Sequence, residues 1–286
     1  MRFRFVDDSK GTWPVQALCR NLGVTPAGYY AWRGRPTSAR AEAAATLAAE
    51  AKAAFAEVKG RYGSPRLHRA LLARGVRCCV NSVAGAMREL GLAACRRRRR
   101  PRPAGPGDAA GDATPNALGR RFAATRPDEK WVSDITFVAT GEGWLYLAAV
   151  EDLYSRRVVG WAMGESPDAA LVARALGMAV GRRRPGPGLL VHSDRGCQYT
   201  SAEYRAAAAG HGVGLSFSRK GNCWDNAPME SLFASLKKEL VYRESFATRA
   251  AAERAIFEYV EVFYNRVRLH SSLGYVSPAS FESSQP

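Results

Sequence analysis

Three acids and one lysine are of types suited to metal-dependent chemistry. Asp134 lies inside the apolar run WVSDITFV, Asp194 directly follows GLLVHS, and Glu230 sits near the start of PMESLFASLKKEL. A lone carboxylate within an apolar strand is costly unless it meets a cation. An aspartate at the carboxyl end of a buried strand stands where open α/β sheets place their sites. Brought to one sheet rim, three carboxylates offer the hard oxygen ligands that a pair of Mg²⁺ or Mn²⁺ ions needs. Two such ions can activate an attacking oxygen and stabilise the leaving one in an in-line displacement. Lys237 follows Glu230 by seven residues, which on a helix returns it to within about 20° of the same edge. Spacing alone is a weak signal: 35 residues separate Asp194 from Glu230, and about two acidic pairs at that separation arise by chance in a chain of this composition.

The elements that must carry these groups are legible. WVSDITFVAT, WLYLAAVEDLYS and RRVVGWAM are β-branched or aromatic runs separated by TGEG and by Ser155 to Arg157, which predicts an antiparallel meander. A helix opening at Ser166-Pro167-Asp168 follows, then the strand GLLVHSD, the helix SAEYRAAAAG and the strand VGLSFS. Together these make an α/β layer around a mixed five-stranded sheet with flanking helices. Met229, Leu232, Phe233, Leu236 and Leu240 form one apolar stripe on the helix that bears Glu230.

The first third of the chain reads as all-α. VQALCRNLGV followed by TPAGYYAW, with Thr25 as cap and Pro26 at the first helical position, predicts a small helix-turn-helix. An Ala-rich helix is expected over 41–59, and two shorter ones open at Ser64-Pro65 and at Asn81. Arginines at 66, 69, 74, 77 and 88 suit phosphates or a solvated face equally. Arg96, Arg97, Arg98, Arg99 and Arg100 then lead into PRPAGPGDAAGDATPN, a linker composition whose arginine cluster calls for phosphates beside it. The organisation expected is a helical, helix-turn-helix region at 1–95, a basic linker at 96–127, and an α/β core with a helical extension at 128–286.

Composition agrees with a polyanionic partner. The net charge is +16, and it is concentrated early: Met1 to Lys130 holds 25 basic and 10 acidic residues, whereas the remainder holds 17 and 16. No apolar run approaches a membrane span and no signal-peptide core opens the chain, so a soluble intracellular protein is expected. Six cysteines without a C-x-x-C pair read as reduced thiols, and four scattered histidines do not suggest structural zinc.

The residues flanking the acids go further. WVSDIT, HSDRGCQYTS, GNCWDNAPMESLFASLKKEL and YNRVRLHSSLGYVSPASFE, with GVTPAGYYAW, RYGSPRLHRAL and GEGWLYLAAVEDLYSRRVVGWAM, resemble in order the second-frame (OrfB) transposase of bacterial IS-three family insertion sequences. The resemblance runs nearly end to end. It implies a retroviral-integrase-like core of the ribonuclease H-like fold, with Asp134, Asp194 and Glu230 as a D,D,E triad holding two Mg²⁺ or Mn²⁺ ions. Lys237 matches a lysine expected to hold terminal DNA. It also implies cleavage of element ends and strand transfer, an OrfA partner or an OrfA–OrfB frameshift fusion, a homo-oligomer on DNA, and work in the bacterial cytoplasm at the nucleoid.

Several residues admit two readings. Asp152 is a fourth acid or, preferably, a hydrogen-bonded strand-end aspartate. His192 is a catalytic aide or, preferably, a core histidine. Arg182 to Arg184 read as a solvated face before a phosphate contact, while Arg266, Arg268 and His270 are as ready to line DNA as not. The Gly-rich loop holding Asp225 and Asn226 is expected to order on DNA or metal. Glu151 and Cys197 depart from the family pattern. Two rivals to the transposase reading are a helix-turn-helix repressor without chemistry and a plain nuclease of the same fold.

Overall fold

The computed structural model describes residues 1–94, 116–219 and 223–284. Arg96 to Arg100, expected to grip the DNA backbone, lie outside the described residues. The chain divides into two compact units, Met1–Ala93 and Ala94–Pro286.

The first unit is helical throughout. Its first three helices, α1 (Arg2–Ser9), α2 (Val15–Leu22) and α3 (Pro26–Arg33), pack on one another around Val6, Leu18, Cys19 and Tyr29. Gly23 ends α2 in the left-handed conformation, and Thr25 caps α3 by accepting from the Gly28 amide at 3.1 Å. The helix-turn-helix read between Trp13 and Arg33 is therefore present, but α1 was not expected. It is held by Val6 in the core and by Asp7, which accepts from the Tyr29 hydroxyl at 2.7 Å. The second trio is α4 (Ala39–Glu57), α5 (Ser64–Ala73) and α6 (Val80–Glu89), which also pack mutually. α6 begins a residue earlier than Asn81 because the Cys79 thiol, rather than an oxygen, caps it through the Ser82 amide at 3.4 Å.

The second unit is built on the expected meander. β1 (Lys130–Thr140), β2 (Gly143–Asp152) and β3 (Val158–Gly164) are antiparallel, and β4 (Leu190–Ser193) and β5 (Gly214–Phe217) add in parallel beside β1, giving the order β3-β2-β1-β4-β5. One face of this mixed sheet is covered by α7 (Ala169–Arg183), α8 (Cys197–Thr200) and α9 (Ala202–Gly210). Trp131, Ile135, Tyr146, Ala148 and Val150 rise from that face to meet Leu171, Val172, Ala175, Leu176 and Ala179 of α7. α7 can lie so close because Gly160 has no side chain. A Cβ there would press on the Ala175 carbonyl and come within 2.6 Å of Ala179.

The opposite face carries Thr136, Val138, Leu145, Leu147 and Ala149, all buried. α10 (Ala227–Leu236) packs on β1, and α11 (Arg249–Phe257) on β1 and β2. Each of these helices widens into a π-helical stretch, Lys237–Val241 and Glu258–Tyr264. The single long helix expected from PMESLFASLKKEL therefore stops being α-helical at Leu236. α12 (Pro278–Ser283) closes the described chain.

Glu151 on β2 is an oddity of this face. It is buried, with Arg156 at 3.4 Å and the Tyr264 hydroxyl at 3.5 Å as distant partners. Burial pushes its carboxyl up to about 7 from an ordinary 4.5, partly offset by Arg156. A raised carboxyl means that ionisation subtracts stability as pH climbs from the unfolded value to the folded one, and is flat above it. Glu151→Gln should therefore melt higher than the parent by a margin that grows between about pH 5 and 7.5 and then levels, reaching on the order of 2 kcal/mol. A margin that stays constant or shrinks with pH in thermal melts contradicts this.

Candidate active site

β1 and β4 are parallel neighbours with Lys130 opposite Leu190, Trp131 opposite Val191 and Val132 opposite His192. Asp134 and Asp194 each follow the last of these pairs by two residues, so both lie just past the end of the β1–β4 pairing. Asp134 remains within β1, while Asp194 is the first residue beyond β4 and is exposed. Glu230 lies in the first turn of α10, the helix that packs on β1, and is also exposed. The sheet thus supplies two carboxylates and the covering helix a third.

Electrostatics shows that these groups share one field. Burial raises the Asp134 carboxyl to about 7, and the Asp194 carboxylate and Glu230 push it the same way. The Ile135 amide, donating to Asp134 Oδ1 at 2.8 Å, and the Lys237 ammonium pull it down. All four residues singled out by type and spacing therefore act on one point. Among the described residues, the side chains do not close into a ready-made cluster of three or more metal-ligating groups.

The backbone around each acid is specialised. Gly196 gives Asp194 Oδ1 an amide at 3.0 Å, and a Cβ at Gly196 would stand 3.1 Å from that oxygen and 2.7 Å from Gln198 Oε1. Ahead of Glu230, Cys223–Asn226 forms a 3₁₀ turn. Its Asp225 is fully buried, yet ionised well below the usual carboxylate range, because Arg219 donates from Nε, Nη2 and its amide at 2.9 to 3.0 Å. Arg120 Nε at 2.6 Å and Asn116 Nδ2 at 2.9 Å complete the clamp. Asn226, the next residue, donates from Nδ2 to the Ser133 carbonyl at 3.2 Å, tying the start of the Glu230 helix to the backbone beside Asp134. These donors and the Asn226 bond pin the described turn Cys223–Asn226 at the base of the Glu230 helix. The many acceptors of an aspartate in WDNAP are compatible with such a clamp, but its partners lie over a hundred residues away for Arg120 and Asn116, beyond the reach of local reading.

Other candidates fall outside this site. Asp152 accepts from the Asp128 and Tyr154 amides and pairs with Arg183, a strand-end aspartate as preferred. His192 is buried between the Ser216 and Ser218 hydroxyls at 2.8 and 3.1 Å, and burial lowers it to about 4, so it is a neutral core residue. Arg182 and Arg184 are exposed, as the solvated-face reading has it, with Arg182 paired to Glu261, whereas Arg183 turns inward to pair with Asp128 and Glu282. Arg268 and His270, weighed as DNA contacts, are buried: Arg268 forks onto Glu239 and donates to Ser235, with His270 3.1 Å away. Arg266 alone of that trio is exposed.

Comparisons with known proteins identify the family. The Integrase core domain family matches residues 124–223 and, in a second segment, 230–285, and an HTH-like domain matches 42–101, which falls on the second helical trio. Transposase InsF for insertion sequence IS3A of Escherichia coli (strain K12) is 40% identical, covering 99% of each chain. The insertion element IS600 uncharacterized 31 kDa protein of Shigella sonnei is 42% identical over 92% of this chain and 97% of its own. Among solved structures, the HTLV-2 integrase catalytic core domain in complex with magnesium aligns at a TM-score of 0.44 with 14% identity, covering 56% of this chain and 99% of that one. The BIV integrase catalytic core aligns at 0.42 with 19% identity, covering 55% and 94%. With two near-full-length relatives at about this identity and both integrase-core segments in place, the chain belongs to the IS3-family insertion-sequence transposases, DNA-integrating enzymes of the polynucleotidyl transferase class.

Proposed function

We propose that Asp134, Asp194 and Glu230 are the catalytic acids and that together they hold two Mg²⁺ or Mn²⁺ ions. The observation that carries this is the Asp134 carboxylate, half-buried in β1 and acted on by the charges of Asp194 and Glu230, a donor set of hard oxygens of the kind divalent cations take. Bound there, the ions would supply Lewis-acid activation of the attacking oxygen and neutralise the leaving one. The chain's own residues do the rest. β1 and α10 fix Asp134 and Glu230 rigidly, the Gly196 amide orients Asp194, and Lys237 offers an ammonium to a phosphate beside them. Successive attacks by water and by a DNA 3′-hydroxyl then cut the element ends and join them to a target.

In this reading the helical region at 1–95 and the arginines of the 96–127 linker bind DNA, with an affinity that falls steeply with salt. An OrfA partner or fusion supplies end specificity, and copies of the chain assemble on DNA in the bacterial cytoplasm, at the nucleoid. Incubating the protein with pre-cut element ends, target plasmid and Mg²⁺ or Mn²⁺ is expected to give strand-joined product that EDTA abolishes. Hydrolysis without joining would make the chain a nuclease, and binding without either would make it a repressor.

A further inference from the structure

Large apolar side chains in the second unit are mostly interior, but the β1–β2 hairpin breaks this rule at its tip. Phe137 and Trp144 are half exposed, at 51% and 50%, with ring centroids 5.0 Å apart and planes at 81°. The register pairs Phe137 with Tyr146 and Ala139 with Trp144, so both rings rise diagonally from the same face. Elsewhere on that face Trp131, Ile135 and Tyr146 pack into the core that α7 covers. At the hairpin tip the two rings stand open.

The exposure is not that of a loose turn. Arg249 donates from its amide to Glu142 at 2.8 Å and from Nε to the Trp144 carbonyl at 3.2 Å. Gly141 donates to the Phe246 carbonyl at 2.9 Å, and Thr140 bridges Phe246. The rings are therefore held in place before any partner arrives.

Lys237 links this surface to the carboxylates. Its Nζ lies 4.9 Å from the centre of the Phe137 ring while its charge acts on Asp134. Asp134 and Phe137 leave β1 on opposite faces, and β4 accompanies β1 only from Lys130 to Val132. The lysine thus reaches round the edge of β1 that β4 leaves uncovered. Along the strand, three residues span about 10 Å, a reach of about three stacked nucleotides.

We propose that Phe137 and Trp144 form a stacking platform for an unpaired nucleobase of the DNA strand whose phosphate lies at the carboxylates. This rests on the reading of Asp134, Asp194 and Glu230 as the catalytic acids. A duplex end presents few open base faces, whereas an unpaired base can lay its π-face on an aromatic ring and place its phosphate on the neighbouring ammonium, the pairing that single-strand-binding grooves use. The platform holds the strand end, and so positions it, without touching the reacting atoms.

The test is a binding measurement with two oligonucleotide probes, a duplex with a short 3′ overhang carrying 2-aminopurine and the blunt duplex of the same sequence. The full-length protein without divalent metal is expected to bind the overhang about tenfold more tightly than the blunt end, with 2-aminopurine fluorescence quenched on binding. Phe137→Ala and Trp144→Ala should lose that preference and the quench, while Phe137→Tyr and Trp144→Phe keep both. Alanine variants that retain the full preference and quench overturn the proposal. So do alanine variants that weaken both probes equally, or that change the protein's oligomeric state with the preference intact. Because no chemistry is read, the overhang preference in a protein that joins no strands would fail the catalytic reading alone, and joining without the preference would fail the platform alone.

Discussion

Asp134→Asn is expected to lower strand joining by about a thousand-fold or more while leaving DNA affinity within about twofold. The proposed site puts this carboxylate between two others, so its loss removes a ligand that neither neighbour can replace from its own strand or helix. Several kcal/mol of metal-assisted stabilisation then disappear from the transition state, and each 1.36 kcal/mol is a factor of ten in rate. A second consequence separates this change from ordinary damage. In the metal-free protein Asp134 is a half-buried acid with Asp194 and Glu230 nearby, so exchanging it for a neutral amide relieves desolvation and like-charge repulsion. The variant should therefore melt a few degrees above the parent in EDTA, and Mn²⁺ should raise the melting temperature of the parent far more than that of the variant. Normal joining by the variant, or a lower melting temperature in EDTA, contradicts the assignment.

The largest effect on stability is expected at Arg268. It is buried beside Tyr264, its guanidinium 5.3 Å from the ring centre, and forks onto Glu239, which is itself buried and accepts from the Tyr259 hydroxyl at 2.8 Å. Arg268→Met removes the cation and strands Glu239 in the interior. Breaking a buried pair from one side costs about 3–5 kcal/mol, or about 6–20 °C of melting temperature in a unit of this size. The double variant Arg268→Met with Glu239→Leu should recover most of the loss, because no unpaired charge remains. Chemical denaturation of the single and double variants checks both numbers. A single variant within 1 kcal/mol of the parent would mean that the pair contributes nothing.

How much of this was legible beforehand follows the range of the interactions involved. The meander, the parallel strands and the helix bearing Glu230 were readable because period-2 and period-3.6 patterns are local. The position of Asp194 just past β4 followed from the same logic, and the family resemblance supplied what spacing could not. Helix α1 was missed because Val6 and Tyr29 complete each other's burial across 22 intervening residues, and Met1 to Phe5 alone alternates like nothing in particular. The roles of Arg268 and Asp225 were missed for a related reason. An arginine near the end of the sequence reads as a surface cation until Glu239 is known to lie beneath it, and an aspartate in a Gly-rich loop reads as mobile until two distant donors are seen around it. Charged residues reveal their partners only in the folded state.

The Asp225 clamp bears on where the catalytic unit can be cut away from the rest. Two of its donors, Asn116 and Arg120, precede the point at residue 124 where the integrase-core match begins. A fragment trimmed to that match would leave the aspartate with Arg219 alone and unseat the turn that leads into Glu230. An autonomous catalytic fragment of this protein must therefore start upstream of Asn116, carrying a short stretch of chain that the family boundary would discard.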